Sequence, residues 1–123
     1  MRRMMLAGAI ASAVALAACA HRATPLELAD QATKGVYNAD LPATQTNFDD
    51  ALKTQVTRET IGALSDKMHA LGAYKGLKAL DADPDRGRYD FEADFDGGML
   101  AVELRIDPSG KIGAYRIAPV RAD

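Results

Sequence analysis

Cysteine occurs once in these 123 residues, at position 19, and tryptophan does not occur. A single thiol excludes an internal disulfide, and it leaves too few ligands for a structural zinc site. Histidine is nearly as scarce, at His21 and His69, so a Ser-His-Asp arrangement has almost nothing to draw on. Aromatic residues make up 6% of the chain, and a core must therefore rely on Leu, Ile, Val and Ala. Basic residues are in no excess: 15 Lys and Arg stand against 17 Asp and Glu. That balance excludes nucleic acid as a partner and excludes a polybasic hold on anionic lipid. No phosphate-cradling glycine loop is present, because Gly97-Gly98 and Gly110 fall in hairpin turns. No cofactor or metal is expected.

The chain opens with Arg2 and Arg3, then an apolar stretch from Met4 to Leu16, then Ala17 and Ala18. This is the order of a secretory signal. The uncharged stretch is about 15 residues, whereas a bilayer span wants roughly 20. Leu16-Ala17-Ala18-Cys19 resembles the lipobox of bacterial lipoprotein precursors. The resemblance implies cleavage before Cys19, a diacylglycerol on its sulfur and a further acyl chain on its amine. Each buried methylene contributes about 0.8 kcal/mol and one chain alone binds marginally, so two or three chains hold firmly. Ala20 stands where an aspartate would signal inner-membrane retention, which implies the outer membrane, facing the periplasm. Two readings compete: a plain signal peptide cleaved near Ala20, and a retained membrane anchor. Arg2-Arg3 also resembles a twin-arginine signal without its preceding Ser or Thr. The expected organisation is a signal peptide over residues 1–18, a lipidated tether over 19–23 and one α+β domain over 24–123. Without Arg2 and Arg3 that domain is more acidic than the formal −2 of the whole chain.

Within the domain, periodicity predicts helices first and strands last. Thr24-Pro25-Leu26-Glu27 combines an N-cap, a Pro suited to the first turn and a capping-box glutamate. Leu28, Ala32 and Val36 follow at helical spacing. Asn38 to Pro42 reads as a break. A second helix is expected from about Thr46, with Phe48, Leu52 and Val56 on one face. A third runs from a Thr57 cap to about Ala70, with Ile61, Leu64, Met68 and Leu71 as its apolar stripe and Gly72 as its stop.

From Tyr74 the period becomes two. A weak strand is expected over Gly76 to Leu80 and a strong one over Arg88 to Asp96. Tyr89, Phe91, Ala93 and Phe95 share one face of the strong strand; Asp90, Glu92, Asp94 and Asp96 share the other. With Gly97-Gly98 as a two-residue turn, Phe95 faces Leu100 and Phe91 faces Leu104 on the next strand, Met99 to Asp107. The outer face then pairs Asp90 with Arg105 and Arg88 with Asp107, leaving Glu92 opposite Glu103. Asp107-Pro108-Ser109-Gly110 is a second turn. The last strand, Lys111 to about Ala118, has an ambiguous facing: a slip of one residue decides whether Ile112, or Tyr115 and Ile117, join the core. The expected fold is α+β, about three N-terminal helices packed on a curved antiparallel sheet of about four strands.

Gly35-Val36-Tyr37, Phe48-Asp49, Leu71-Gly72, Gly110-Lys111-Ile112 and Pro119 resemble positions in small secreted domains of the nuclear-transport-factor-2-like, or cystatin-like, superfamily. The resemblance runs roughly from Leu26 to Val120, and more narrowly it is to a domain of unknown function in bacterial lipoproteins. It implies helices wrapped by a sheet with a pocket between them, and it carries no catalytic residues.

Several constellations invite chemistry. Asp81, Asp83, Asp85 and Glu92 match the spacing of a calcium loop, but Arg86 stands where the loop needs glycine. The Asp90, Glu92, Asp94, Asp96 row suits a cation or basic partner, or simply a wet strand face. His69 falls beside the buried stripe of its helix, which predicts a boundary position with one hydrogen bond. Tyr37, Tyr74, Tyr89 and Tyr115 are candidates for lining a pocket. Three functions follow: a non-enzymatic envelope lipoprotein that binds an envelope protein or a small apolar ligand, a structural accessory to another envelope protein, and a small pocket enzyme. The first is the expected one. Cys19 is the one site residue, as the point of lipid attachment to the membrane.

Overall fold

A computed structural model describes residues 23–120, and Cys19, His21 and the whole expected signal segment lie outside them. Helix α1, Pro25–Tyr37, begins as its sequence dictates: the Thr24 hydroxyl accepts from the Glu27 N–H, and the Glu27 carboxylate accepts from the Thr24 N–H. That reciprocal pair satisfies two of the donors a helix start leaves open. Helix α2, Leu41–Gln45, is capped by Asp40. Helix α3, Asp50–Gln55, is capped by Asp49, and α4, Arg58–Ala70, by Thr57. Four strands follow: β1 Tyr74–Asp83, β2 Arg88–Phe95, β3 Gly98–Ile106 and β4 Ile112–Pro119. They form one antiparallel sheet in the order β1-β2-β3-β4. The fold is α+β, with helices N-terminal and strands C-terminal.

Two helical expectations need correction. The segment read as a break holds α2, because Asp40 is a helix cap and Pro42 sits in the first turn, where a missing N–H costs nothing. Thr46 does not open a helix. The chain passes Phe48 instead as a short parallel bridge to Ile112, with Ile112 N–H donating to Asn47 O and Asp49 N–H donating to Ile112 O. This bridge seals the start of the β4 edge.

The core lies between the helices and one face of the sheet. Leu28, Ala29, Ala32 and Val36 of α1 meet Phe91, Ala93 and Phe95 of β2 and Val102 and Leu104 of β3, with Phe48, Met68 and Ile112 closing the ends. Tyr115 and Ile117 also pack against it. The choice posed for β4 has a third answer. Ile106 pairs with Ile112 and Arg105 with Ala114, so Gly113 is an extra residue in the ladder. A bulge shifts the side-chain alternation by one, and both Ile112 and the Tyr115–Ile117 pair turn inward.

The register of β2 on β3 differs from expectation by two residues. Phe95 pairs with Gly98, Phe91 with Val102 and Tyr89 with Leu104, so the turn is Asp96-Gly97. The cause is tertiary. Gly97 N–H donates to Leu71 O at 2.6 Å and Asp96 N–H to Ala73 O at 3.2 Å, both in the loop after α4. Lys75 adds an ion pair to Asp96 at 3.3 Å. A slip of two preserves which face each side chain takes, but it changes every charged pair on the outer face. The free edge of β1 is interrupted by irregularities at Lys75 and Leu80 and carries Lys75 and Lys78, devices that discourage pairing with another strand.

Candidate functional site on the open face of the sheet

No described helix covers the outer face of the sheet, and the observed register arranges its charges in bands. One row across the strands reads Asp81, Asp90, Glu103, Arg116; the next reads Asp83, Arg88, Arg105, Ala114. Like charges therefore face one another where the sequence reading paired opposites: Arg88 lies opposite Arg105, and Asp90 lies opposite both Asp81 and Glu103. The two rows line a cleft of about 440 Å³.

Away from the centre of the cleft the outer charges are paired. Lys78 reaches Glu92 at 3.5 Å and Asp94 at 3.7 Å, Arg116 reaches Glu103 at 3.3 Å, and Arg86 reaches Asp83 at 3.8 Å. At the centre, no ion pair forms among the described residues at Asp81, Arg88, Asp90 or Arg105. Asp81 accepts only from the neighbouring Ala82 N–H, at 2.9 Å, and Arg105 Nη2 donates a long 3.3 Å bond to Gly113 O. Burial raises the Asp90 pKa above the usual carboxylate range, Glu103 and Asp81 push it further, and Arg88 opposes them.

The other candidates resolve into structural roles. Asp81 and Asp83 end β1, Pro84–Arg86 forms a single 3-10 turn, and Glu92 stands in the middle of β2 beside Lys78. Among the described residues no group of three or more His, Cys, Asp or Glu side chains could hold a metal ion. His69 is exposed, further out than the boundary position expected of it, and it makes the one expected hydrogen bond. Its ring stacks on Tyr37 at 4.0 Å, and its Nε2 lies 2.9 Å from the Tyr37 carbonyl oxygen, which also accepts from Ser65 Oγ at 2.8 Å.

Three of the four tyrosines hold the helices down. Tyr37 donates to Gly72 O at 3.0 Å, Tyr74 donates to Asp30 Oδ1 at 2.7 Å, and Tyr115 shares a 2.7 Å bond with Thr33 Oγ1. Burial drives the pKa of both Tyr74 and Tyr115 well above the ordinary phenol value; the Asp30 carboxylate adds to the rise at Tyr74, and the Thr33 bond tempers it at Tyr115. Tyr89 lies on β2 and lines, with Arg86 and Pro108, a second hollow of about 360 Å³.

The space between helices and sheet is occupied. Phe91, Ala93, Phe95, Val102, Leu104 and Ile112 are all buried there. A gap between α4 and the ends of β3 and β4, lined by Leu64, Leu100 and Ile117, holds about 60 Å³, room for roughly two waters. No described helix is long and apolar enough to cross a membrane. A scan against protein-family models finds no match, and searches of curated proteins and of solved structures find none either.

Proposed function

We propose that this chain is a lipid-anchored module of the bacterial envelope that binds rather than transforms, with the open face of its sheet as the recognition surface. The anchor reading rests on the likeness of Leu16-Ala17-Ala18-Cys19 to a lipobox, and Ala20, standing where an aspartate would signal inner-membrane retention, supports the outer membrane, facing the periplasm. The binding reading rests on one observation: the side of the sheet that would hold a pocket is packed with Phe91, Phe95 and Leu104, while the other side carries a charged cleft without internal ion pairs at its centre. A pocket enzyme of the nuclear-transport-factor-2-like kind needs an ionisable group at the floor of a deep apolar cavity. Here the half-buried phenols of Tyr74 and Tyr115 are fastened to Asp30 and Thr33 instead. A small apolar ligand has only the 60 Å³ gap beside α4. A purely structural accessory calls for a large contiguous apolar patch, whereas the exposed large apolar side chains are Leu26 on α1, Leu80 on β1, Met99 on β3 and Val120 just after β4, of which only Met99 and Val120 come together, beyond the Leu100–Pro119 pair.

Two measurements test this. Metabolic labelling with a palmitate analogue is expected to mark the wild type and not Cys19→Ser, with the variant released from the membrane fraction. A photocrosslinking residue at Glu103, on the open face, is expected to capture an envelope component that the same residue at Lys34, on α1, does not. An unlabelled wild type overturns the anchor. Equal capture from both positions overturns the recognition surface.

A further inference from the structure

We propose that the cleft takes a dipolar ligand the length of a short peptide, with its ammonium over Asp81 and Asp90 and its carboxylate over Arg88 and Arg105. This rests on the reading of the open face as the recognition surface, and it names what that surface receives.

The first argument is cost. Opposite charges across neighbouring strands stabilise a sheet and like charges destabilise it. This face obeys the rule at its margins, with Lys78 between Glu92 and Asp94 and Arg116 on Glu103. It breaks the rule where the cleft lies, at Arg88 and Arg105 and at Asp81 and Asp90. Arrangements that cost stability are retained where binding needs them.

The second argument is spacing. Arg88 and Asp90 are two residues apart on β2, and Glu103 and Arg105 are two apart on β3. At the rise of a strand, two residues cover about 6.5 Å. The free ends of an extended dipeptide lie about the same distance apart. An anion alone would sit beside the acid row, and a cation alone beside the arginines. A zwitterion of this length answers both rows at once. The arginine side can grip a carboxylate with two parallel N–H donors, and Arg105 is already steadied by its bond to Gly113 O.

The third argument is size. A cleft of about 440 Å³ falls in the range of small-ligand sites, roughly 300–1,000 Å³.

The test uses the full chain, purified in detergent, and three probes: dialanine, N-acetyl-dialanine with its amine blocked, and dialanine amide with its carboxylate blocked. Calorimetry is expected to show dialanine binding, with each blocked form weaker by roughly tenfold, the size of one lost charge-assisted contact. Asp90→Asn is expected to remove the preference for the free amine while keeping the preference for the free carboxylate. The pair Arg88→Gln and Arg105→Gln is expected to do the reverse. All three positions line the surface cleft, and far-UV circular dichroism checks that each variant is folded. Equal binding of all three probes, or no binding of dialanine at millimolar concentration, overturns the proposal. In that event the Glu103 crosslink separates the two readings. If it still captures its component, the ligand class was wrong and the recognition surface stands; if it fails too, both fall.

Discussion

At position 35 a Cβ atom would lie 2.6 Å from both the backbone nitrogen and the hydroxyl of Thr44. Neither atom can retreat freely, because the Thr44 N–H and hydroxyl both donate to Asp40 O, at 3.0 and 2.8 Å, and Asp40 N–H donates to Gly35 O at 2.8 Å. Gly35 is what lets α1 and α2 approach so closely, and Gly35→Ala is expected to cost about 1–3 kcal/mol by overpacking. Urea unfolding checks this as a lower midpoint with an unchanged slope. A second single-residue effect concerns charge. The Asp90 carboxyl is raised in the fold by burial, Glu103 and Asp81, so the folded state holds its proton more tightly than the unfolded chain. Its contribution to stability is therefore greatest at acid pH and is lost as pH rises through the raised value. Asp90→Asn is expected to melt higher than the wild type at neutral pH, and the advantage should shrink in acid. Asp107 works in the opposite sense. The Ser109 hydroxyl at 2.6 Å, helped by the N–H groups of Lys111 and Ser109, holds its carboxyl below the usual range. Its stabilisation is present at neutral pH and lost as pH falls through that depressed value, so single variants are needed to separate the two acids.

Among the elements, the bridge between Phe48 and Ile112 carries more than its length suggests. Both side chains are fully buried, and the two backbone bonds beside them tie the α2–α3 connection to the edge strand. Phe48→Ala is expected to cost about 3–5 kcal/mol, the usual range for removing a buried aromatic ring, measured by denaturant unfolding. Hydrogen exchange should report faster opening at Ile112 than at Val102 in that variant. Elements of this kind mark the limit of what sequence reveals. Helices α1 and α4 were legible because cap, stripe and stop all lie within the segment itself. The faces of β2 and β3 were legible from strict alternation. The register was not, because Gly97-Gly98 and Asp96-Gly97 are equally good local turns, and the choice falls to Leu71 O and Ala73 O on a distant loop. The inward turn of both Ile112 and Tyr115 required a bulge at Gly113, which no period-two pattern contains. The candidate site followed the same logic. Its acids and arginines were visible as composition, but their banding depends on a two-residue slip that turned complementary pairs into like ones.

For the molecule as a whole, with no disulfide available to the domain, cohesion depends on how α1 is fixed to the sheet. Tyr74 stands on β1 and Tyr115 on β4, the two edge strands, and their phenols reach Asp30 and Thr33, about one turn apart on α1. The helix is thus bonded to both margins of the sheet it covers. Each phenol is pushed well above its ordinary pKa by burial, whereas the unfolded chain releases the same protons near pH 10. Stability from these groups is complete below that pH and is lost as pH rises beyond it, because the unfolded chain gives up protons that the fold retains. Alkaline titration is therefore expected to end in cooperative unfolding. The phenolate absorbance of Tyr74 and Tyr115, identified by comparison with the single Phe variants, should rise together with the loss of circular dichroism. Tyr115→Phe should cost about 0.5–1.5 kcal/mol at neutral pH, the net worth of one neutral hydrogen bond, and Tyr74→Phe about 1.5–3 kcal/mol because its partner is the charged Asp30, and each should flatten the alkaline decline. Phenolate signals from these two residues that appear while the secondary structure is still intact would mean that water reaches the phenols in the folded state, and that α1 is held to the sheet by its apolar face alone.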